Sequence, residues 1–159
     1  MIEPHNALLD LSFERFVAVP AEHLWRGWTD AQVIVQWFTP APWVTTEAEV
    51  DPRPGGVFRT VMCGPGGERN EGTGCVLEAV PNRRFAWTGS LLPGFRPAPP
   101  PSPGEFAFSA IIEFEPSGTG TLYRATVRHA DEEGARIHSG MGFVEGWGAA
   151  LDQLVALYR

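Results

Sequence analysis

Apolar and polar residues alternate from Leu9 to Val19, with Leu11, Phe13, Arg15 and Val17 in one register. This period of two predicts a first strand, which Pro20 stops. The period then changes. Pro20 to Trp28 places a proline at a helix start ahead of apolar residues at helical spacing, and Thr29-Asp30 opens a second short helix through Trp37. Pro40 and Pro42 end that segment, and alternation returns over Trp43 to Val50. Three further strands are predicted over Val57 to Cys63, Gly72 to Val80 and Arg84 to Leu91. The turn signals Pro52 to Gly56, Gly64 to Glu68 and Pro81 to Arg83 separate them. Phe106 to Glu115 and Thr121 to His129 alternate on either side of Gly118-Thr119-Gly120, which predicts a hairpin and brings the antiparallel sheet to about seven strands.

After the acidic Asp131-Glu132-Glu133, the periodicity of Gly134 to Tyr158 predicts one long amphipathic helix, with Ile137, Met141, Val144, Leu151, Leu154, Val155 and Tyr158 on its apolar side. Glycines at 134, 140, 142, 146 and 148 each cost a helix up to about 1 kcal/mol relative to alanine. Either the backbone approaches the sheet closely there, or room is left for a ligand beneath the helix. Ser90 to Glu105 holds six of the chain's fifteen prolines, too many for a helix or a central strand, and is expected to be a long loop of polyproline character. The class is α+β, and 159 residues suit one domain spanning 1–159.

Several motifs sharpen that fold. The stretch Phe13 to Trp25, running strand through Val19-Pro20-Ala21-Glu22 into a helix, is similar to the opening of the START-like families. Trp37-Phe38-Thr39-Pro40, the turn Pro54-Gly55-Gly56-Val57-Phe58-Arg59, the hairpin Gly74 to Thr88 and the closing Gly146-Trp147-Gly148-Ala149-Ala150-Leu151-Asp152-Gln153-Leu154 all resemble the same group. Together they resemble the heat-shock-protein-90 ATPase activator homologue branch of the SRPBCC superfamily, often labelled polyketide-cyclase-like. The resemblance implies a helix-grip, birch-pollen-allergen-like fold: a curved antiparallel sheet around a long C-terminal helix, with two short helices after strand 1. The proline-rich insert Pro93 to Pro103 is longer than the family's usual loop.

Strand parity selects the inward side chains. Phe106, Phe108, Ala110, Ile112 and Phe114 form one apolar register; Tyr123, Ala125, Val127 and His129 form another; Phe85 with Trp87, and Phe58 with Thr60 and Met62, form two more, while Met141, Val144 and Gly148 face them from the helix. Six tryptophans and ten phenylalanines suit an aromatic-walled cavity. The expected ligand contacts are Phe58, Met62, Phe85, Trp87, Phe95, Phe108, Ile112, Tyr123, His129 and Met141, with Phe95 and the Ser90 to Glu105 segment as a lid. For each aromatic the alternative is plain core packing. His129 is expected inward, most readily as a hydrogen-bonded structural histidine. His138 and Glu145 are seven apart, and solvent is the favoured neighbour for both. Arg59 and Glu71 are placed to pair across adjacent strands.

The charge balance, 12 basic and 19 acidic residues giving −7 with no lysine, argues against nucleic-acid partners. Nothing approaches a membrane span or a signal peptide, and a cytoplasmic location is expected. Cys63 and Cys75 are expected as free thiols. No metal-ligand spacing, phosphate loop or nucleophile stands out, and no cofactor is implied. Three functions remain open in descending order: binding or carriage of a hydrophobic small molecule, a cyclase- or aromatase-like enzyme, and a protein-interaction module of co-chaperone type. The chain is expected as a monomer or homodimer.

Overall fold

The computed structural model describes residues 5–159. Strand β1 (Asp10–Val17) leads into α1 (Ala21–Thr29) and α2 (Ala31–Trp37), followed by β2 (Val44–Val50), β3 (Val57–Cys63), β4 (Arg69–Val80) and β5 (Arg84–Thr88). A short hairpin of β6 (Leu91–Leu92) and β7 (Arg96–Pro97) precedes β8 (Phe108–Ser117), β9 (Gly120–His129), α3 (Glu132–Gly140) and α4 (Phe143–Ala156). Seven strands form one antiparallel sheet in the order β1-β9-β8-β5-β4-β3-β2. Register shifts at Thr45/Glu47 and Val76/Glu78 interrupt the ladders, and such bulges bend and twist a sheet. This is the helix-grip arrangement.

The helices bury their apolar faces on the sheet's inner side. Leu24 and Trp28 of α1, Ile34 and Trp37 of α2, and Leu151 and Leu154 of α4 pack with Phe58, Phe85, Ile112, Phe114 and Tyr123 from the strands. Gln153 fastens α4 to the linker after α2: its Nε2 donates to Trp37 O and Thr39 O at 2.9 and 2.8 Å, and its Oε1 accepts from Ala41 N. The Trp37 to Pro40 and Gly146 to Leu154 motifs are therefore two sides of one joint.

The expected single C-terminal helix is interrupted. Gly142 adopts φ +81°, a left-handed conformation that breaks the α-helical ladder, and α4 restarts at Phe143. The restart resets the phase, so Phe143, Trp147, Leu151 and Leu154 turn inward while Met141 (71% exposed) and Val144 turn to solvent. The expectation that Met141 and Val144 line the interior is thereby corrected. At Gly148 an added Cβ would lie 2.6 Å from Nη2 at the far end of the Arg15 side chain, which donates to Gly148 O and pairs with Asp152 at 2.7 Å. Cys63 and Cys75 are free thiols, and Cys75 is buried.

The proline-rich segment also differs from expectation. Its beginning folds into the β6–β7 hairpin, whose Gly94 N–H donates to Gly55 O at 2.8 Å, and the Phe95 ring lies against Gly55 in the turn between β2 and β3. Phe95 is 51% exposed and makes no ring contact with the interior aromatics, so it does not cap the interior.

Candidate functional site

The interior has two unlike ends. At one, around α1 and α2, Trp28 meets Trp37, Phe38, Phe58, Phe85 and Trp147 with ring centres 5.1–6.4 Å apart. Its polar atoms have partners. Trp28 Nε1 donates to Tyr123 Oη at 3.0 Å and Trp37 Nε1 to Gly27 O at 2.8 Å. Burial raises the Tyr123 phenol well above its ordinary range, with Trp28 and Arg15 opposing the shift, so the hydroxyl stays neutral. Phe85, Ile112 and Tyr123, expected as ligand contacts, belong to this filled core, and Phe58 forms its border.

The other end lies beneath α3 and the start of α4. A smaller buried cluster of Ala110, Val127 and Phe143 packs there with Leu11, Phe13, Trp87, Phe108 and Trp147, all half-buried. Trp87 stacks on Phe58 at 4.5 Å and meets Phe108 at 5.5 Å. Its indole Nε1 is buried and has no hydrogen-bond partner among the described residues. A buried donor without a partner costs about 1–3 kcal/mol, so a group that could accept from it is favoured.

His129 is inward, as its register predicts, and 7% exposed. Its Nδ1 lies 2.8 Å from Leu9 O and its Nε2 2.9 Å from Nδ1 of His138. His138 was expected at the solvent face with Glu145. Instead it is 6% exposed, because the break at Gly142 separates the phases of α3 and α4; Glu145 is exposed as expected. Burial, and secondarily the neighbouring His129, push His138 down from its ordinary 6.5 to about 4, which keeps the imidazole neutral at physiological pH. The parity of β9 predicts one member of this pair inward, and the pairing itself depends on the break at Gly142, which the spacing of the segment does not reveal.

The remaining candidates lie elsewhere. Met62 is half-buried near the end of β3, opposite Thr45 and Asn70, and Met141 and Phe95 are outside. Two surface hollows, of about 120 and 410 Å³, are lined by outer-face and loop residues such as Glu14, Glu113 and Arg124, or Pro20, Asn82 and Gly118; neither is lined by Phe58, Trp87, Phe108, Tyr123 or His129. The outer face carries ion pairs. Arg59 Nε meets Glu71 at 2.8 Å as expected, and Glu71 is held below the ordinary carboxylate range by Arg59 first and Arg69 second. Exposed apolar residues are spread over β1, β2, β4, the insert and the ends of α3 and α4: Phe16, Val44, Val80, Phe95, Met141 and Leu157. No group of three or more potential metal ligands occurs among the described residues, and no helix among them is long and apolar enough to cross a membrane.

The seven-stranded antiparallel sheet, the two short helices after β1 and the C-terminal helix on its inner side make this a START-like fold. The family model for activator of Hsp90 ATPase homolog 1-like protein matches residues 18–159, and the chain belongs to that family. A solved protein of Nitrosomonas europaea is 40% identical, with a TM-score of 0.90 and 96% of each chain covered. A Mycobacterium smegmatis protein at 24% identity (TM-score 0.78, 96% of this chain and 91% of that one) and a Rhodobacter sphaeroides protein at 22% (TM-score 0.80, 98% and 95%) share the fold. No curated protein matches.

Proposed function

We propose that the chain binds a hydrophobic, aromatic small molecule at the end of its interior bounded by Trp87, Phe108, Phe106, Trp147 and the His129–His138 pair. The observation that carries this is the buried Trp87 Nε1 donor with no protein partner, in a region whose other walls are half-buried rings. A core built for stability alone satisfies such a donor, as Trp28 and Trp37 are satisfied at the opposite end. Aromatic walls with a few polar groups are the usual composition of small-molecule sites. Of the ten sequence candidates, Trp87, Phe108 and His129 are the contacts in this reading, with Phe58 at its inner limit. Phe85, Ile112 and Tyr123 serve packing, and Met62, Phe95 and Met141 stand apart from the site.

A second reading is supported by the histidines. Two titratable side chains converge at 2.9 Å on the inner side of the fold, which suits a proton-accepting role in a cyclase- or aromatase-like reaction on a bound aromatic or polyketide-like chain. Binding is common to both readings and is tested first. Trp87→Phe keeps a ring in place and removes the donor. Removing the unpaired donor and losing ring volume act in opposite directions, so the unfolding free energy is expected to stay within about 2 kcal/mol of wild type while binding of 8-anilinonaphthalene-1-sulfonate or a small aromatic panel weakens several-fold. Unchanged affinity for every compound that wild type binds would count against the site, as would absence of binding altogether.

A further inference from the structure

The direction of the histidine chain is fixed at its inner end. Leu9 O can only accept, so the His129 Nδ1 that faces it at 2.8 Å carries a hydrogen. In the uncharged pair His129 Nε2 is then a lone pair, and His138 Nδ1–H donates to it across 2.9 Å. His138 Nε2 is left as a lone pair, and among the described residues it has no hydrogen-bond partner.

Its surroundings restrict what can approach. The rings of Phe106, Phe108, Phe143 and Trp147 lie with centres 4.8–6.3 Å from the imidazole, and none of them carries charge. Asp10 and Asp131, the acidic residues beside Leu9 and His129 in the chain, are engaged by Arg128 and by the Gly134 N–H. An acceptor in an uncharged aromatic box favours a neutral hydrogen-bond donor. A carboxylate would meet a lone pair with its own acceptor oxygens and lose hydration without a counter-charge. Flat rings on the walls favour a flat ring on the ligand. Phe108 contacts both His138 and Trp87, so the free Trp87 Nε1–H stands in the same region, ready to donate to an oxygen.

We propose that this site selects an aromatic hydroxy compound of the phenol class, whose O–H donates to His138 Nε2 while an oxygen of the ligand accepts from Trp87 Nε1. The proposal rests on the small-molecule reading above. His129 acts as a positioning residue: by accepting from His138 Nδ1 it holds the tautomer that leaves Nε2 free to accept.

The test compares 2-naphthol with 2-methoxynaphthalene, which has the same ring system and no donor, by calorimetric titration of the whole chain near pH 7.5. Wild type is expected to bind 2-naphthol roughly tenfold tighter, the range expected when a site's polar atom is left without its partner. His138→Phe is expected to abolish the preference, so that the two naphthalenes bind the variant equally, whatever the change in absolute affinity. Equal affinities in wild type, or a preference that survives in a folded His138→Phe, would overturn the hydroxyl recognition and leave the small-molecule reading standing. Failure of both naphthalenes and the anilinonaphthalene dye to bind would overturn both. Should His138→Phe not fold, imidazole nitrogen NMR on wild type decides. The His138 Nε2 resonance should move with 2-naphthol and stay with 2-methoxynaphthalene, and equal movement with the two overturns the proposal.

Discussion

The end of the interior under α1 and α2 and the end under α3 and the start of α4 are built from the same kinds of residue and solve different problems. At the first, Trp28, Trp37 and Tyr123 are buried and their polar atoms are paired within the protein. At the second, Trp87 and His138 each keep a polar nitrogen without a protein partner, and Phe106, Phe108 and Trp147 are only half-buried. Aromatic content therefore does not mark a site by itself. In the proposed reading, what separates core from site is whether the polar atoms carried by the aromatics are satisfied.

The comparison breaks most easily at the filled end. Trp28→Ala should cost about 3–5 kcal/mol, the range for large-to-small core changes, and Phe108→Ala, at the half-open end, distinctly less. Equal losses in denaturant titrations would mean that both ends are core. Tyr123→Phe removes the acceptor of the Trp28 indole and should cost about 1–3 kcal/mol by leaving a buried donor unpaired. A neutral result would show that an unpaired indole carries no penalty here, and the Trp87 argument would weaken with it.

Gly142→Ala forces a side chain into a left-handed conformation and should cost about 1–2 kcal/mol, since the site itself has space and the penalty is conformational. A stabilised variant would imply that α3 and α4 can join into one helix, returning His138 to the phase of Glu145. A further effect is expected on pH dependence. His138 is depressed from 6.5 to about 4, so between those values the unfolded chain binds more protons than the folded one, and stability rises with pH. Its contribution is complete above about pH 6.5 and is lost as the pH falls through about 4. Urea midpoints measured across that window should show a slope that His138→Phe flattens.

Most of the strands and both short helices were legible because their periodicity is long and their turns carry Gly, Pro and Asn. The parity of β8 and β9 predicts Phe108 and His129 inward, and both pack on the inner side of the sheet. The helix break was not legible: Gly142 is one of five glycines between 134 and 148, and only its left-handed backbone distinguishes it. From that one residue follow the outward turn of Met141 and Val144, the inward turn of Phe143 and Trp147, and the burial of His138. The position of Phe95 is hidden for a similar reason. Proline density in the insert suggested an unpaired loop, whereas a tight turn at Pro93-Gly94-Phe95 sends the ring onto Gly55, and nothing in local spacing reveals which distant backbone a hairpin tip will meet.

The most direct test of the difference between the two ends is the indole N–H region of a proton–nitrogen NMR spectrum, in which six tryptophans give six resolvable signals. On addition of 2-naphthol, the Trp87 signal is predicted to shift strongly as its donor gains an acceptor, while those of Trp28 and Trp37 stay in place. Shifts at Trp28 and Trp37 with Trp87 unmoved would contradict the account.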